Sequence, residues 1–195
     1  MRVLVVYVHP DPGSFIAAVR DRAVGALTDA GHDVELCDLY AEGFEPRLSR
    51  DERLAHHDPP ESKPAIAPHA ARLRRADALV LVYPTWWGGL PAMLKGWIDR
   101  VWIEGVAYTL PTGSNRIRAG LRNIGRFAII TTHGSPKWVN VLQGEPGKHQ
   151  LRRGVRVLCR PLMRSRWIAY YGIDRSTPAD RSAFLDRVER AMRRL

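Results

Sequence analysis

Five short apolar runs alternate along the chain with stretches whose apolar residues recur every three or four positions. The runs are 2–8 (RVLVVYV), Val34, Leu36 and Leu39 within HDVELCDLY, 79–83 (LVLVY), 126–132 (RFAIITT) and 166–171 (RWIAYY). The first and third are continuous, the pattern of strands buried on both faces of a parallel sheet. Helical spacing predicts a helix over 15–30, with Ile16, Val19, Ala23 and Leu27 inward and Gly31 closing it. A short helix follows at 69–75. Another begins at Pro91, with Leu90, Leu94, Trp97, Ile98 and Val101 on one face. The same spacing places Val155, Leu158, Cys159 and Leu162 on one face of a helix over 148–163, ended or kinked by Pro161. Thr177-Pro178 starts a last helix through Leu195 that buries Phe184, Val188 and Leu195. Strands alternating with helices imply an α/β fold on a parallel sheet, and 195 residues suit a single domain, 1–195. Residues 40–68 are polar, Pro-rich and longer than a turn requires. They are expected to serve function, a subunit contact, or both.

Three of the strand ends carry loops suited to a ligand, and ligands of open α/β sheets sit at the carboxyl ends of strands. After the first strand, His9-Pro10-Asp11-Pro12-Gly13-Ser14 leads into a helix. Ser14 is a good N-cap, and the N–H groups and dipole of a helix start attract an anion. After the third strand, Pro84 stops the run and Thr85-Trp86-Trp87-Gly88-Gly89 sets two flat π-surfaces beside two glycines. Such a loop stacks on or borders a planar ring; the alternative is that both tryptophans are core. After the fourth strand, Thr131-Thr132-His133-Gly134-Ser135 offers a second wall for the same ring.

The segment 84–102, PTWWGGLPAMLKGWIDRVW, resembles the signature of the flavodoxin-like NAD(P)H:quinone oxidoreductases, the DT-diaphorase type and its bacterial relatives. DLYAEGFEPRLSRDE (38–52) is similar to the family too, and the resemblance spans nearly the whole chain. It implies a flavodoxin-like, doubly wound, five-stranded parallel sheet of order 2-1-3-4-5 in a three-layer sandwich. It implies a flavin, FMN first and FAD also open. His9, Ser14 and Phe15 would hold its phosphate. Pro84, Thr85, Trp86, Trp87 and Gly88 would border its ring. Thr131, Thr132, His133, Gly134 and Ser135 would approach its pyrimidine side. The implied activity is reduction of quinones or similar acceptors by NAD(P)H through ping-pong hydride transfer, with His133 and Tyr108 as catalytic candidates. The family's Tyr and His proton donors fall at or near Trp138 and Val139, and near His149. A homodimer is implied as well, with Trp97, Trp102 and 40–68 as its surface. The alternative is a flavin-binding regulatory or redox-sensing subunit of a membrane transport system, with a peripheral membrane-protein partner. An electron carrier is disfavoured, since such carriers tend to be acidic.

Composition and charge narrow this further. Hydrophobic residues make up 45% and charged residues 26%, a soluble globular balance. No apolar run has the length of a membrane span, and the N-terminus reads as a strand rather than a signal peptide, so a reducing cytoplasm is expected. Cys37 and Cys159 match no metal or redox spacing, and no ligand cluster surrounds His56-His57, so no metal is expected. G-x-G-x-x-G, Walker and G-x-S-x-G motifs are missing. The net charge is +10, and 148–166 holds seven Lys and Arg with no acid. Arg152, Arg156, Arg160 and Arg164 recur every four residues, one stripe on a helix. The stripe is a solvated face, a site for the NADPH 2′-phosphate, or a dock for an acidic partner or membrane surface. Nucleic acid is disfavoured, because no recognition motif accompanies it.

Overall fold

The computed structural model describes residues 1–110 and 117–195. Its centre is a five-stranded, all-parallel sheet of β1 (Arg2–Tyr7), β2 (Asp33–Asp38), β3 (Ala78–Pro84), β6 (Arg126–His133) and β7 (Arg164–Tyr171), in the order β2-β1-β3-β6-β7. The chain runs outward to β2, returns past β1 to β3, and continues the other way. The order therefore reverses between β1 and β3, and a crevice opens there at the carboxyl ends of the strands. A separate two-residue hairpin pairs β4 (Tyr108–Thr109) with β5 (Arg118–Ala119).

Alternation within the central strands feeds two cores. Val3, Val5 and Tyr7 of β1 and Val80 and Val82 of β3 face one side, where α1 (Phe15–Asp29) and α7 (Pro178–Met192) supply Val19, Ala23, Leu27, Phe184, Val188 and Met192. Leu4, Val6, Leu79, Leu81, Phe127 and Ile129 face the other. There α3 (Ala67–Arg75) and α4 (Ala92–Val101) supply Leu73, Leu94, Trp97 and Val101. The result is the three-layer sandwich that the continuous apolar runs require. Capping agrees with the sequence at both ends of the back layer. Ser14 caps α1, and Thr177 and Asp180 form a capping box on α7.

The connection at 40–68 folds back on its own chain. It contains α2 (Arg50–Leu54), and Arg100 of α4, 6% exposed, binds Glu52 at 3.1 Å and the Glu45 carbonyl. Pro46 packs directly on Gly96. Trp97 is fully buried and Trp102 nearly so, edge to face at 6.2 Å. These two tryptophans therefore belong to the core of one chain, which corrects the expectation that they form a dimer surface.

A second correction concerns 148–163. The segment is not one helix. After α5 (Lys137–Leu142) come α6 (Pro146–His149), a π-helical turn at Gln150–Val155 and a 3₁₀ turn at Arg156–Leu158. Cys159 then bridges to Leu121, and Leu162 stands 94% exposed at φ 61°. Arg160 lies in the turn and Arg164 opens β7, so the four-arginine stripe breaks after Arg156. Cys159 and Leu158 still pack on the front core, while Leu162 does not.

Candidate functional site

The loop after β1 is preorganised for an anion. Asp11 Oδ1 accepts the Gly13 N–H at 2.8 Å, and Ser14 Oγ donates to the Asp11 carbonyl at 2.8 Å while also capping α1. The first turn of α1 carries no acidic residue, so the positive end of the helix is left uncompensated. The Phe15 ring lies 6.2 Å from those of Tyr170 and Phe184, against the core under α1 and α7.

The loop after β3 is a tight turn. Gly89 donates its N–H to the Trp86 carbonyl at 3.0 Å, and the central residues, Trp87 at φ 50° and Gly88 at φ 71°, both have positive φ. Glycine adopts this freely; a tryptophan does so against the clash of its own Cβ, at about 1–2 kcal/mol. Trp87 is also completely exposed, and Trp86 is 39% exposed with its ring 6.1 Å from that of His9. Neither tryptophan is core. The turn thus bears both backbone strain and a bare aromatic face, a combination found at ligand sites.

Thr85 links this loop to the one after β6. Its N–H donates to the Thr132 carbonyl at 2.7 Å, and its hydroxyl lies 3.0 Å from Thr131 Oγ1 and 3.4 Å from His133 Nε2. Thr131 and Thr132 are buried, so they brace the loops and do not line the opening. Between the two loops lies a cavity of about 350 Å³, lined by Thr85, Trp87, Gly88, His133, Gly134, Ser135, Asn140 and Gln143. Gly134 lets the Asp174 carboxylate approach closely; a Cβ there would stand 2.6 Å from Oδ2 and turn that side chain aside. His9, Ser14, Phe15, Pro84 and Trp86 border the same sheet edge without lining this cavity.

His133 is the titratable group of the cavity. Its Nδ1 lies 2.7 Å from Asn140 Oδ1. The Asn140 amide donates to the carbonyls of Ser135 (3.1 Å) and Pro136 (2.9 Å), which fixes Oδ1 as the acceptor. His133 therefore carries its proton on Nδ1, and Nε2 is the acceptor, 3.4 Å from the Thr85 hydroxyl. Burial pushes its pKa below the ordinary value, only partly opposed by the bond from Asn140. The ring stacks on Tyr171 at 4.5 Å. The Tyr171 hydroxyl donates to Glu145 at 2.7 Å, and burial with that bond raises it to about 12. Partial burial disfavours the Glu145 charge, but Lys148 and Tyr171 outweigh it and hold the carboxyl below the usual range.

Tyr108 is not brought to this cavity. Its hydroxyl sits 3.0 Å from His56 Nε2, beside a contact of His57 with Glu104 at 2.7 Å. The connection at 105–121 is part hairpin, and its 111–116 portion lies outside the described residues. Trp138 is exposed on α5 and His149 on α6, neither in the cavity lining. Asn140, Gln143, Glu145 and Tyr171 were not anticipated. No local pattern marks them; only a register in which Asn140 is the one buried side chain of α5 would have pointed to it.

Two strand-end tyrosines, Tyr7 and Tyr83, keep buried hydroxyls with no partner among the described residues. A cluster of Cys37, Glu42 and His69 is occupied by Arg72, which reaches Cys37 Sγ at 3.3 Å and Glu42 at 2.6 Å. A guanidinium in that place fits no metal, and burial raises the Cys37 thiol to about 12.

Sheet order, switch-point crevice and strand-end loops define a flavodoxin-like protein. Residues 1–194 match the family described as flavodoxin-like fold, and the chain belongs to it. The rat NAD(P)H dehydrogenase [quinone] 1 is 33% identical over 162 residues, covering 75% of this chain and 58% of that protein. The chain spans little more than half the length of the curated relatives it matches. The crystal structure of Smu.1420 from Streptococcus mutans UA159 is similar over 100% of both chains, with a TM-score of 0.84 and 29% identity. The NAD(P)H:quinone oxidoreductase of Methanothermobacter marburgensis is similar over 99% of this chain and 98% of its own, with a TM-score of 0.80 and 29% identity.

Proposed function

We propose that this chain is a flavin-dependent NAD(P)H oxidoreductase that reduces quinones or similar acceptors with ping-pong kinetics. The observation that carries the reading is the Trp87 turn, strained and bare, facing the His133 loop across one cavity at the carboxyl ends of β3 and β6, next to the switch point. The residues present fit a flavin. The uncompensated start of α1, with Ser14 and the 9–13 loop, suits its phosphate. Trp86, Trp87 and Gly88 offer a π-surface and open backbone to its ring. Gly134, Ser135 and the His133 Nε2 acceptor line the other side of the cavity. FMN is the form proposed, because one phosphate site is evident.

When bound, a flavin supplies two-electron hydride chemistry between a nicotinamide donor and an acceptor. The chain's own residues position and protonate. Thr85 and Thr131 hold the two loops at a fixed separation. Trp87 restricts access from solvent and gives planar groups a face to stack on. His133, neutral at physiological pH and oriented by Asn140, accepts a proton at Nε2 and, once charged, donates it from there. The proposed assembly is a homodimer. In the described residues no helix is long and apolar enough to cross a membrane.

The test is direct. Protein titrated with FMN and FAD is expected to bind one stoichiometrically, with bands near about 375 and 450 nm, and to oxidise more than one equivalent of NADPH or NADH only when benzoquinone is supplied. Failure to bind either flavin overturns the reading. Flavin binding without turnover favours a sensing role.

A further inference from the structure

The turns after α6 gather cations that the proposed chemistry leaves unused. Leu151 and Val155 are buried in the front core, so the opposite side of this segment is fixed in place. On that side Lys148, His149, Arg152, Arg153 and Arg156 line one concavity of about 260 Å³. Lys148 is paired with Glu145, but among the described residues Arg152, Arg153 and Arg156 have no carboxylate within salt-bridge distance. Arg152 Nε is buried and has no acceptor among the described residues. A desolvated donor without a partner, in a concavity of like charges, is unfavourable unless an anion completes it.

One residue before Lys148 the chain meets the turn that bears Trp87 and Gly88. Gly147 packs against the Trp86–Gly89 turn, where a Cβ would lie 3.5 Å from Leu90 and 3.7 Å from the Gly89 carbonyl carbon. Glu145, which holds Lys148, also binds Tyr171, and Tyr171 carries the His133 ring.

We infer that this concavity binds the 2′-phosphate of NADPH and makes the chain prefer NADPH over NADH. The inference rests on the oxidoreductase reading above. A phosphomonoester carries up to two negative charges and three acceptor oxygens, which matches several convergent arginines. No Phe, Tyr or Trp lines the concavity, whereas a single-strand nucleic-acid groove carries several such stacking platforms.

The experiment compares adenosine 2′,5′-bisphosphate with adenosine 5′-monophosphate by calorimetry on the flavin-loaded protein. The first is expected to bind at least about tenfold tighter at low salt, with the margin shrinking as salt rises. Arg152→Gln/Arg156→Gln, with circular dichroism unchanged, is expected to remove that margin and to lower the NADPH-over-NADH ratio in kcat/KM about tenfold. Arg156→Gln alone, at an exposed position, is expected to remove part of it should the double variant misfold. Equal binding of the two nucleotides by the wild type overturns the inference, as does a margin that survives the substitutions. Equal weakening of both also overturns it, since the arginines would then serve a phosphate common to both donors. The nucleotide margin is measurable without turnover, so its presence in a protein that fails to bind flavin would refute the oxidoreductase reading and leave the phosphate site standing.

Discussion

Trp87 combines two costs, a positive φ and a wholly exposed indole. Trp87→Gly relieves the first and Trp87→Ala removes only the second. The flavin-free protein is therefore expected to gain up to about 1 kcal/mol of stability with Trp87→Gly. Both variants should bind flavin about five- to tenfold more weakly, for a lost stacking contact of about 1 kcal/mol. Thermal melts of apo protein and fluorescence titrations check this; a drop in apo melting temperature with Trp87→Gly would return the indole to a structural role. His133 gives a pH signature. Its pKa is lowered by burial, so below the ordinary value of 6.5 the unfolded chain binds more protons than the folded one. Stability present above pH 6.5 should thus be lost progressively as the pH falls, and His133→Gln should lessen the loss. His69, also buried with a lowered pKa, supplies part of the same slope and is unaffected by that variant. Asn140→Asp places a carboxylate on Nδ1 and should move the His133 inflection in kcat/KM upward by about one unit or more. The loop residues of this site were legible because strand ends, glycines and aromatics are local signals. Asn140, Glu145 and Tyr171 were not, because their roles depend on how α5, α6 and β7 pack around His133.

At the scale of elements, burial on both faces explains what could be read. The central strands of the sheet have no polar alternation to confuse, and the helices of the back layer have good caps. The 148–163 segment defeated periodicity for a physical reason. Its apolar spacing continues through Cys159, but the bridge from Cys159 to Leu121 and the positive φ of Leu162 pull the backbone out of any helix. Trp97 shows the complementary limit: an apolar helix face announces that it is covered, not by what. Here Trp97 packs on Trp102 and donates to His69, while Gly96 and Arg100 of the same helix meet the chain's own 44–52 segment; Gly96 permits the approach, since a Cβ would stand 2.1 Å from the Pro46 carbonyl oxygen. Gly96→Ala is expected to displace this segment and to cost about 1–3 kcal/mol by overpacking. Urea denaturation monitored by the buried Trp97 and Trp102 measures it. A variant as stable as the wild type would mean that the 40–68 connection is loosely held.

Over the whole molecule, with Trp97 and Trp102 buried, a second copy has to meet other apolar surface. Trp138, Val141 and Leu142 of α5 are 66%, 54% and 78% exposed, and Gln143, the next residue, touches the Trp87 turn at Gly88. Trp138, Val141 and Leu142, at helical spacing, share one exposed side of α5, and Trp87 is bare on the neighbouring turn; exposed apolar groups so clustered mark an interface. The proposed homodimer is therefore expected to close over this face. Covering it would dry the cavity and strengthen every polar interaction inside. The net charge of +10 on each copy opposes the approach, so association should tighten with salt, opposite to the behaviour of an ion-paired interface. Sedimentation at micromolar concentrations is expected to show a dimer that strengthens between about 0.05 and 0.5 M salt. Leu142→Glu should shift it to monomer and lower turnover with the fold retained by circular dichroism. A wild-type monomer with full activity, or a dimer indifferent to Leu142→Glu, would place the interface elsewhere or remove it.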